Sequence, residues 1–329
     1  MDLLHGSGGS RLTWERLPAG VRQAVEALVG APVVAAVSQP GGFSPGVASR
    51  VLLGDGRRVF VKAVGGGLDP IAPRLLRKEI RVLGVLPPEL PAPRLLAVHD
   101  EHTDPTTWPD PGSWVAAVLE DVHGRMPVLP WRPDELARVV DALADLAEAG
   151  TPCPGELPRV TDRHAALFGE WRRLAADGHP RLAELPALAR ARLDDLAALE
   201  LGWTEAAAGD TLVHDDLRAD NILLTEDRVW LVDWPYAAAG APWLDLVFML
   251  PSVVMQGGAD PEAVLAGYPP ARDVDPDAVN RVLAAAAGYF LGRSLEPAPP
   301  ALPRIRVFQR AQGDAALTWL ARRLRWPPG

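Results

Sequence analysis

The chain has 329 residues, 48% of them hydrophobic, and 33 basic against 42 acidic side chains for a formal net charge of −9. That length can bury two substantial cores, the acidic excess argues against a nucleic-acid partner, and no apolar run reaches the ~18 residues of a membrane helix. Cys153 is the single cysteine, so no intrachain disulfide forms, and residues 1–10 lack the basic and apolar stretches of a secretory leader; a cytoplasmic setting is expected.

Residues 33–37 and 47–53 read as a strand pair, joined by Ser38-Gln39-Pro40-Gly41-Gly42-Phe43-Ser44-Pro45-Gly46. Glycines let backbone amides approach phosphate oxygens, which makes this connection a candidate lid over a nucleotide. No Gly-Lys-Ser/Thr closes it, so it is not a Walker A loop. Residues 42–46 also match G-x-S-x-G, the nucleophile elbow of hydrolases. Pro45 has no N–H to offer an oxyanion hole, and residues 47–53 read as a strand where the elbow needs a helix.

Residues 59–64 form a buried β-branched pattern with one charge, Lys62. A buried ammonium needs a partner. Lys62 and Lys78 are the only lysines in the chain, a bias that keeps the compact ammonium for one strand. Residues 71–86 carry apolar side chains along one helical stripe, with Pro73 in the first turn. Glu79, at the border of that stripe, is placed to reach back to Lys62.

His99-Asp100-Glu101-His102 reads as a solvated polar loop rather than a metal site. Residues 114–119 read as an apolar strand running into Glu120-Asp121-Val122-His123-Gly124. Beyond residue 125 the pattern turns helical, with helices expected over 134–149, 182–201, 241–256, 276–295 and 304–325. A stiff proline-rich connector, 296–303, separates the last two.

Residues 214–224 and 231–234 carry the chemistry. His214, Asp216 and Asn221 meet the spacing H-x-D-x-x-x-x-N, and Asp233 follows Asn221 by 12 residues at the end of a short apolar strand. Phosphoryl transfer needs a carboxylate to receive the acceptor hydroxyl's proton, and Asn and Asp oxygens to hold Mg²⁺ on a triphosphate. A loop of this spacing, followed by a strand that delivers the second aspartate, is the layout of kinases.

Taken in order, these motifs resemble the aminoglycoside phosphotransferase family over roughly residues 30–250. That family's loop reads roughly H-G-D-L-H-x-G-N, followed by a strand ending V-I/V-D-W. Here Asp215 replaces the glycine, Arg218 the second histidine, and Asp220 the glycine before Asn221. The resemblance implies an α+β, two-lobed protein-kinase-like fold. Residues 1–120 would form an N-terminal nucleotide-binding lobe of antiparallel sheet plus helix, 121–125 an inter-lobe linker, and 126–329 a mainly helical catalytic and substrate-binding lobe.

It also implies roles. Asp216 corresponds to the catalytic base, Asn221 and Asp233 to the Mg²⁺ ligands, and Lys62 and Glu79 to the phosphate-positioning pair. Gly42, Phe43 and Ser44 fall in the lid, and Glu120 and Val122 where backbone groups read the purine of ATP or GTP. His214 packs behind the loop, Asp245 braces it, and Arg218 falls beside the acceptor. The implied reaction moves a γ-phosphoryl group to a small-molecule hydroxyl. The preferred acceptor is an aminoglycoside or related antibiotic, as in resistance by O-phosphorylation. An amino sugar, a choline-like alcohol, homoserine, and a macrolide or nucleoside antibiotic are alternatives; from another class, so is a non-catalytic nucleotide-binding module.

Charge bears on the acceptor. Residues 1–120 hold 12 basic and 12 acidic side chains, and residues 121–329 hold 21 and 30. A negative cleft would draw a cationic acceptor, with Asp260, Glu262, Asp273, Asp275 and Asp277 as candidates for its wall or simply a solvated surface. Trp108, Trp131, Trp203 and Trp234 are candidates for stacking in a pocket. Oligomeric state is not legible.

Overall fold

The computed structural model describes residues 11–39, 45–102, 112–299 and 302–327. Five antiparallel strands, β1 (Val33–Ser38), β2 (Val47–Leu53), β3 (Arg58–Gly65), β4 (Leu95–Asp100) and β5 (Trp114–Glu120), form a sheet in the order β1-β2-β3-β5-β4. Alternation along β3 sorts its side chains by face. Val59, Val61 and Ala63 join Ala116 and Val118 of β5 against Trp14, Leu17, Val21 and Val25, which belong to α1 (Ala19–Val29) and the turn before it. Lys62 and Val64 point the other way, toward α2 (Ala72–Leu83) and the helical part of the chain.

α1 escaped the sequence reading because only two of its residues are buried; its stop signal was nonetheless present. Gly30, at φ 74°, closes the helix with its N–H on Glu26 O at 2.9 Å, the left-handed ending that glycine favours. β4 is a correction. His99 and Asp100, expected in a loop, pair with Ala116 and Val115 on the sheet's edge, and the Asp100 carboxylate takes Arg77 of α2 at 2.5 and 2.7 Å.

The helical part comprises α3 (Pro133–Ala149), α4 (Val160–His164), α5 (Glu170–Asp177), α6 (Ala187–Ala191), α7 (Leu193–Glu200) and α8 (Trp203–Ala207). After these come α9 (Leu244–Met255), α10 (Pro261–Ala266), α11 (Pro276–Ser294) and α12 (Ile305–Arg323). Two small antiparallel pairs lie among them: β6 (Thr211–Val213) with β9 (Ala238–Gly240), and β7 (Ile222–Leu224) with β8 (Val229–Leu231). The single helix expected over 182–201 is broken into a 3-10 turn, α6 and α7. Leu185 is extended (φ −68°, ψ 157°) because the ring of Pro186 clashes with a helical predecessor.

α11 is the central helix, buried along Ala284, Ala285, Ala286, Ala287 and Gly288. These small residues admit Trp171 of α5, whose indole N–H donates to Ala284 O at 2.7 Å. Four of the five acidic residues proposed for a cleft wall are engaged elsewhere, and the fifth, Asp273, is exposed. Asp260 and Asp275 cap α10 and α11, Asp260 pairs with Arg322 at 3.0 Å and Glu262 with Arg323 at 2.6 Å, and Asp277 accepts from Asn280.

The tryptophans are also core residues. Trp131, Trp203 and Trp234 are buried, with the indoles of Trp131 and Trp234 bonded to Gln256 and to the Leu231 carbonyl. Trp108 lies outside the described residues. Among the described residues no helix is long and apolar enough to cross a membrane.

A Cβ on Gly288 would stand 2.7 Å from the Trp171 indole nitrogen. Gly288→Val is therefore expected to destabilise the chain by about 1–3 kcal/mol through overpacking, read as a lower urea midpoint; an unchanged midpoint would contradict this packing.

Candidate active site

The sheet delivers one cation to the cleft. Lys62 pairs across β2 and β5 with Ala48 and Ala117, whose small side chains leave its stem room. Its ammonium donates to both oxygens of Glu79 on α2 at 2.7 Å and to Asp233 Oδ1 at 2.8 Å. Burial would lower an ammonium's pKa, but Asp233 and Glu79 outweigh it and hold Lys62 above its usual value. Glu79 is 3% exposed; burial, with Asp233 nearby, pushes its carboxyl up against the pull of Lys62. Burial acts on Asp233 in the same direction, yet Lys62 keeps it below the ordinary carboxylate range.

The loop between β6 and β7 supplies the remaining groups. Asp245, in the first turn of α9, accepts the N–H of His214 on Oδ2 at 2.8 Å and that of Asp215 on Oδ1 at 2.9 Å, the bracing expected of it. His214 is fully buried, donates from Nε2 to the Val232 carbonyl at 3.0 Å, and packs its ring 4.5 Å from that of Trp234. Burial presses its pKa down to about 4, so the ring is a neutral strut. The Val232 N–H returns to Asn221 O at 2.9 Å, tying the two strands together.

Asp216 is about a quarter exposed. Its Oδ1 takes Arg218 Nη1 at 2.6 Å, and Asn221 Nδ2 donates to its backbone carbonyl at 2.8 Å. Burial pushes the Asp216 carboxyl up to about 7; Arg218 pulls it down, and Asp233, Asp220 and Asp215 add to the rise.

The three departures from the family loop are compensated in place. Asp215 sits at φ 65°, a conformation that suits glycine. Its carboxylate, 1% exposed, is held by Arg163 at 2.8 Å and His164 at 2.9 Å, both on α4. Arg218 binds Asp220 at 3.0 Å as well as Asp216, so those two replacements form one ion-paired unit. Sequence reasoning missed Arg163 and His164, although a carboxylate in a glycine's place was the signal that partners were needed.

The donor set fits a divalent cation. Asn221 commits its amide nitrogen to Asp216, leaving its oxygen as the ligand atom; Asp233 keeps one oxygen out of the Lys62 contact, with 45% of its side chain open. Hard oxygens of this kind suit Mg²⁺ completed by phosphates. No cluster of three His, Cys, Asp or Glu placed to hold a metal alone occurs among the described residues.

Glu120 ends β5 and ion-pairs with Arg94 at 3.1 Å. The Val122 carbonyl is taken by Arg50 at 2.6 Å and by the Gly124 N–H at 2.9 Å, so of its backbone groups the N–H is the one with no hydrogen bond among the described residues. Gly42, Phe43 and Ser44 lie outside the described residues. Gly46, at the loop's end, is needed for contact, since a Cβ there would stand 2.3 Å from the Ala63 carbonyl oxygen.

A sequence profile of the phosphotransferase enzyme family matches residues 41–279; no curated protein sequence matches the chain. Among solved structures, the aminoglycoside phosphotransferase of Alicyclobacillus acidocaldarius subsp. acidocaldarius DSM 446 superposes with TM-score 0.54 at 17% identity, over 89% of this chain and 92% of that one. Choline kinase LicA of Streptococcus pneumoniae gives 0.52 at 13%, over 92% and 98%. A thermostable mutant of aminoglycoside phosphotransferase APH(4)-Ia, in ternary complex with AMP-PNP and hygromycin B, gives 0.54 at 14%, over 92% and 99%. At these identities the likeness is one of fold: α+β, with an antiparallel N-terminal sheet and a helical C-terminal part.

His214, depressed to about 4 in the fold, takes a proton more readily when unfolded, near pH 6.5. Stability is therefore full above about pH 6.5 and is lost as pH falls toward 4. At pH 5 this costs about 2 kcal/mol relative to pH 7. His214→Asn should reduce the pH dependence of the unfolding free energy by that amount; identical pH profiles for both proteins would show otherwise.

Proposed function

The chain belongs to the phosphotransferase enzyme family, and from that premise we propose that it transfers the γ-phosphoryl group of ATP or GTP to a hydroxyl of a small molecule. The observation that carries this reading is the convergence of Lys62, Glu79 and Asp233 beside a loop that presents Asp216 and Asn221. Complexed AMP-PNP in the APH(4)-Ia structure supports a nucleoside triphosphate as donor. We read residues 121–125 as the linker between a nucleotide-binding lobe, 1–120, and a catalytic lobe, 126–329, with backbone groups around Glu120 and Val122 meeting the base.

In this mechanism Asp216 is the general base. Arg218 fixes one of its oxygens, and the other, which takes only a long 3.4 Å contact from Asn221 Nδ2, would accept the acceptor hydroxyl's proton. A pKa raised to about 7 suits the task, because proton transfer is most efficient when the base titrates near the working pH. Lys62, oriented by Glu79, positions the donor's phosphates. Asn221 and Asp233 would hold Mg²⁺, which would supply charge neutralisation for the donor's phosphates. Most of the acceleration then comes from positioning and charge neutralisation, since little covalent chemistry falls to the protein.

Structures of this fold include APH(4)-Ia bound to hygromycin B and a protein named as a choline kinase, LicA. Family membership therefore names the reaction and not the acceptor. Of the five acidic residues expected to draw an aminoglycoside, Asp260, Glu262, Asp275 and Asp277 are engaged in helix caps, arginine pairs or a bond from Asn280, which weakens the argument from net charge.

Asp216→Asn is expected to lower acceptor-dependent ADP or GDP release about 10²–10⁴-fold while Mg–AMP-PNP still binds in calorimetry; undiminished turnover would remove Asp216 as the base. Lys62→Ala should leave Glu79 buried and unpaired, costing about 3–5 kcal/mol, and should weaken nucleotide binding in the same titration.

A further inference from the structure

At the base side of the cleft one arginine reaches the linker. Arg50 lies on β2 opposite Phe60, and Ala48, two residues earlier, lies opposite Lys62. Alternate residues of a strand share a face, and so do cross-strand partners. Arg50 and Phe60 therefore stand on the face that carries Lys62 into the cleft. From that face the Arg50 Nη2 donates to the Val122 carbonyl at 2.6 Å and, at 3.4 Å, to that of Gly124. Its Nε lies 3.3 Å from Asp121 Oδ1, on a side chain only 4% exposed, and that oxygen is buried without a hydrogen bond among the described residues. Charge thus holds the guanidinium beside Asp121, while its hydrogen bonds go to the backbone.

The effect on the linker is to remove an acceptor. A carbonyl oxygen has two lone pairs. At Val122, Arg50 takes one and the Gly124 N–H, at 2.9 Å, takes the other. The Val122 N–H makes no hydrogen bond among the described residues. Nor do the N–H groups on Arg50 Nη1, and the Arg50 side chain is 23% exposed. Around Val122 a purine therefore meets donors, from the backbone and from a guanidinium, and a carbonyl already filled.

Adenine and guanine differ in what they show to such a surface. Adenine sets a donor, its exocyclic amine, beside the acceptor N7; guanine sets two acceptors, O6 and N7, side by side. Arginine N–H groups match adjacent O6 and N7 with parallel hydrogen bonds. The amine of adenine finds no lone pair at Val122, and a donor left facing donors costs its desolvation. Both bases are neutral, so the ion pair with Asp121 does not weaken this readout. It depends on N–H groups and on one filled carbonyl, not on net charge.

We propose that Arg50 sets the base preference of the phosphoryl donor, which is a guanine nucleotide. By filling the Val122 carbonyl, Arg50 disfavours adenine; together with the Val122 N–H it reads the O6–N7 edge of guanine. This assignment rests on the phosphotransferase reading above, in which the linker meets the base, and it names which of the two donors is used. Arg50 is a specificity residue, remote from the transferred group.

The test titrates Mg–ADP, Mg–GDP and Mg–IDP calorimetrically into the full chain. The hypoxanthine of IDP keeps O6 and N7 but lacks guanine's amine, so it isolates the edge in question. GDP and IDP should each bind at least about tenfold tighter than ADP, an effect within the range of one base-edge contact. Arg50→Met releases the Val122 carbonyl, and the ratio should fall toward one or invert. It should persist in Arg57→Gln, whose arginine pairs with Asp55 in the turn after β2. Arg50→Met leaves Asp121 buried without its partner; combined with Asp121→Leu it removes both charges, and this double variant carries the test if the single one fails to fold. Tighter binding of ADP, as an amine reaching the Glu120 carbonyl would give, would overturn the proposal. So would equal binding of all three, IDP binding like ADP, or a guanine preference intact in the double variant. Failure of all three diphosphates and of Mg–AMP-PNP to bind would instead overturn the phosphotransferase reading, and the donor assignment with it.

Discussion

One buried ammonium organises the site. Lys62 reaches Glu79 on α2 and Asp233 in the helical part at 2.7–2.8 Å, so the sheet, its covering helix and the segment after β8 meet at a single nitrogen. Uncompensated, that charge would be prohibitive in the core; with two carboxylates it becomes a three-way joint whose geometry is costly to leave. The Trp234 N–H adds a contact to Glu79 at 3.4 Å, which couples the backbone beside Asp233 to the same pair. The rest of the site is arranged around this joint, because the positions of Lys62 and Asp233 are set by each other.

The catalytic loop follows a similar logic at a second anchor. Asp245 accepts two consecutive backbone N–H groups, and His214 donates to Val232 from behind. These bonds hold Asp215 at positive φ and so aim Asp216 into the cleft. A chain with aspartate rather than glycine at 215 accepts local strain and a buried charge, and α4 offsets both by presenting Arg163 and His164. Arg218 and Asp220 enter as a matched pair. The departures from the family loop are therefore a coordinated repacking.

Much of this was legible in the residues. The β-branched runs around Lys62 and 114–119 and the amphipathic stripe of α2 are strong periodic signals, and the strands and helix form where that pattern places them. The spacing of His214, Asp216, Asn221 and Asp233 likewise names the chemistry, and the structure brings these residues together with Lys62. Local rules failed where a single residue outweighed the pattern: Pro186 breaks the helix expected over 182–201, and the short, half-exposed β4 and the thinly buried α1 offered too few apolar residues to show a period.

Side-chain partnership across long sequence separations was not legible. Asp260, Glu262 and Asp275 looked free for an acceptor, but arginines on α12 and two helix N-termini claim them. Trp131, Trp203 and Trp234 looked available for stacking, but core packing claims them. By itself the sequence determined the family and the fold class, because apolar period and motif spacing are local properties of the chain. Only the tertiary structure decided which charges are neutralised, because neutralisation is set by contacts such as Arg163 with Asp215 and Asp260 with Arg322, between residues about fifty or more apart.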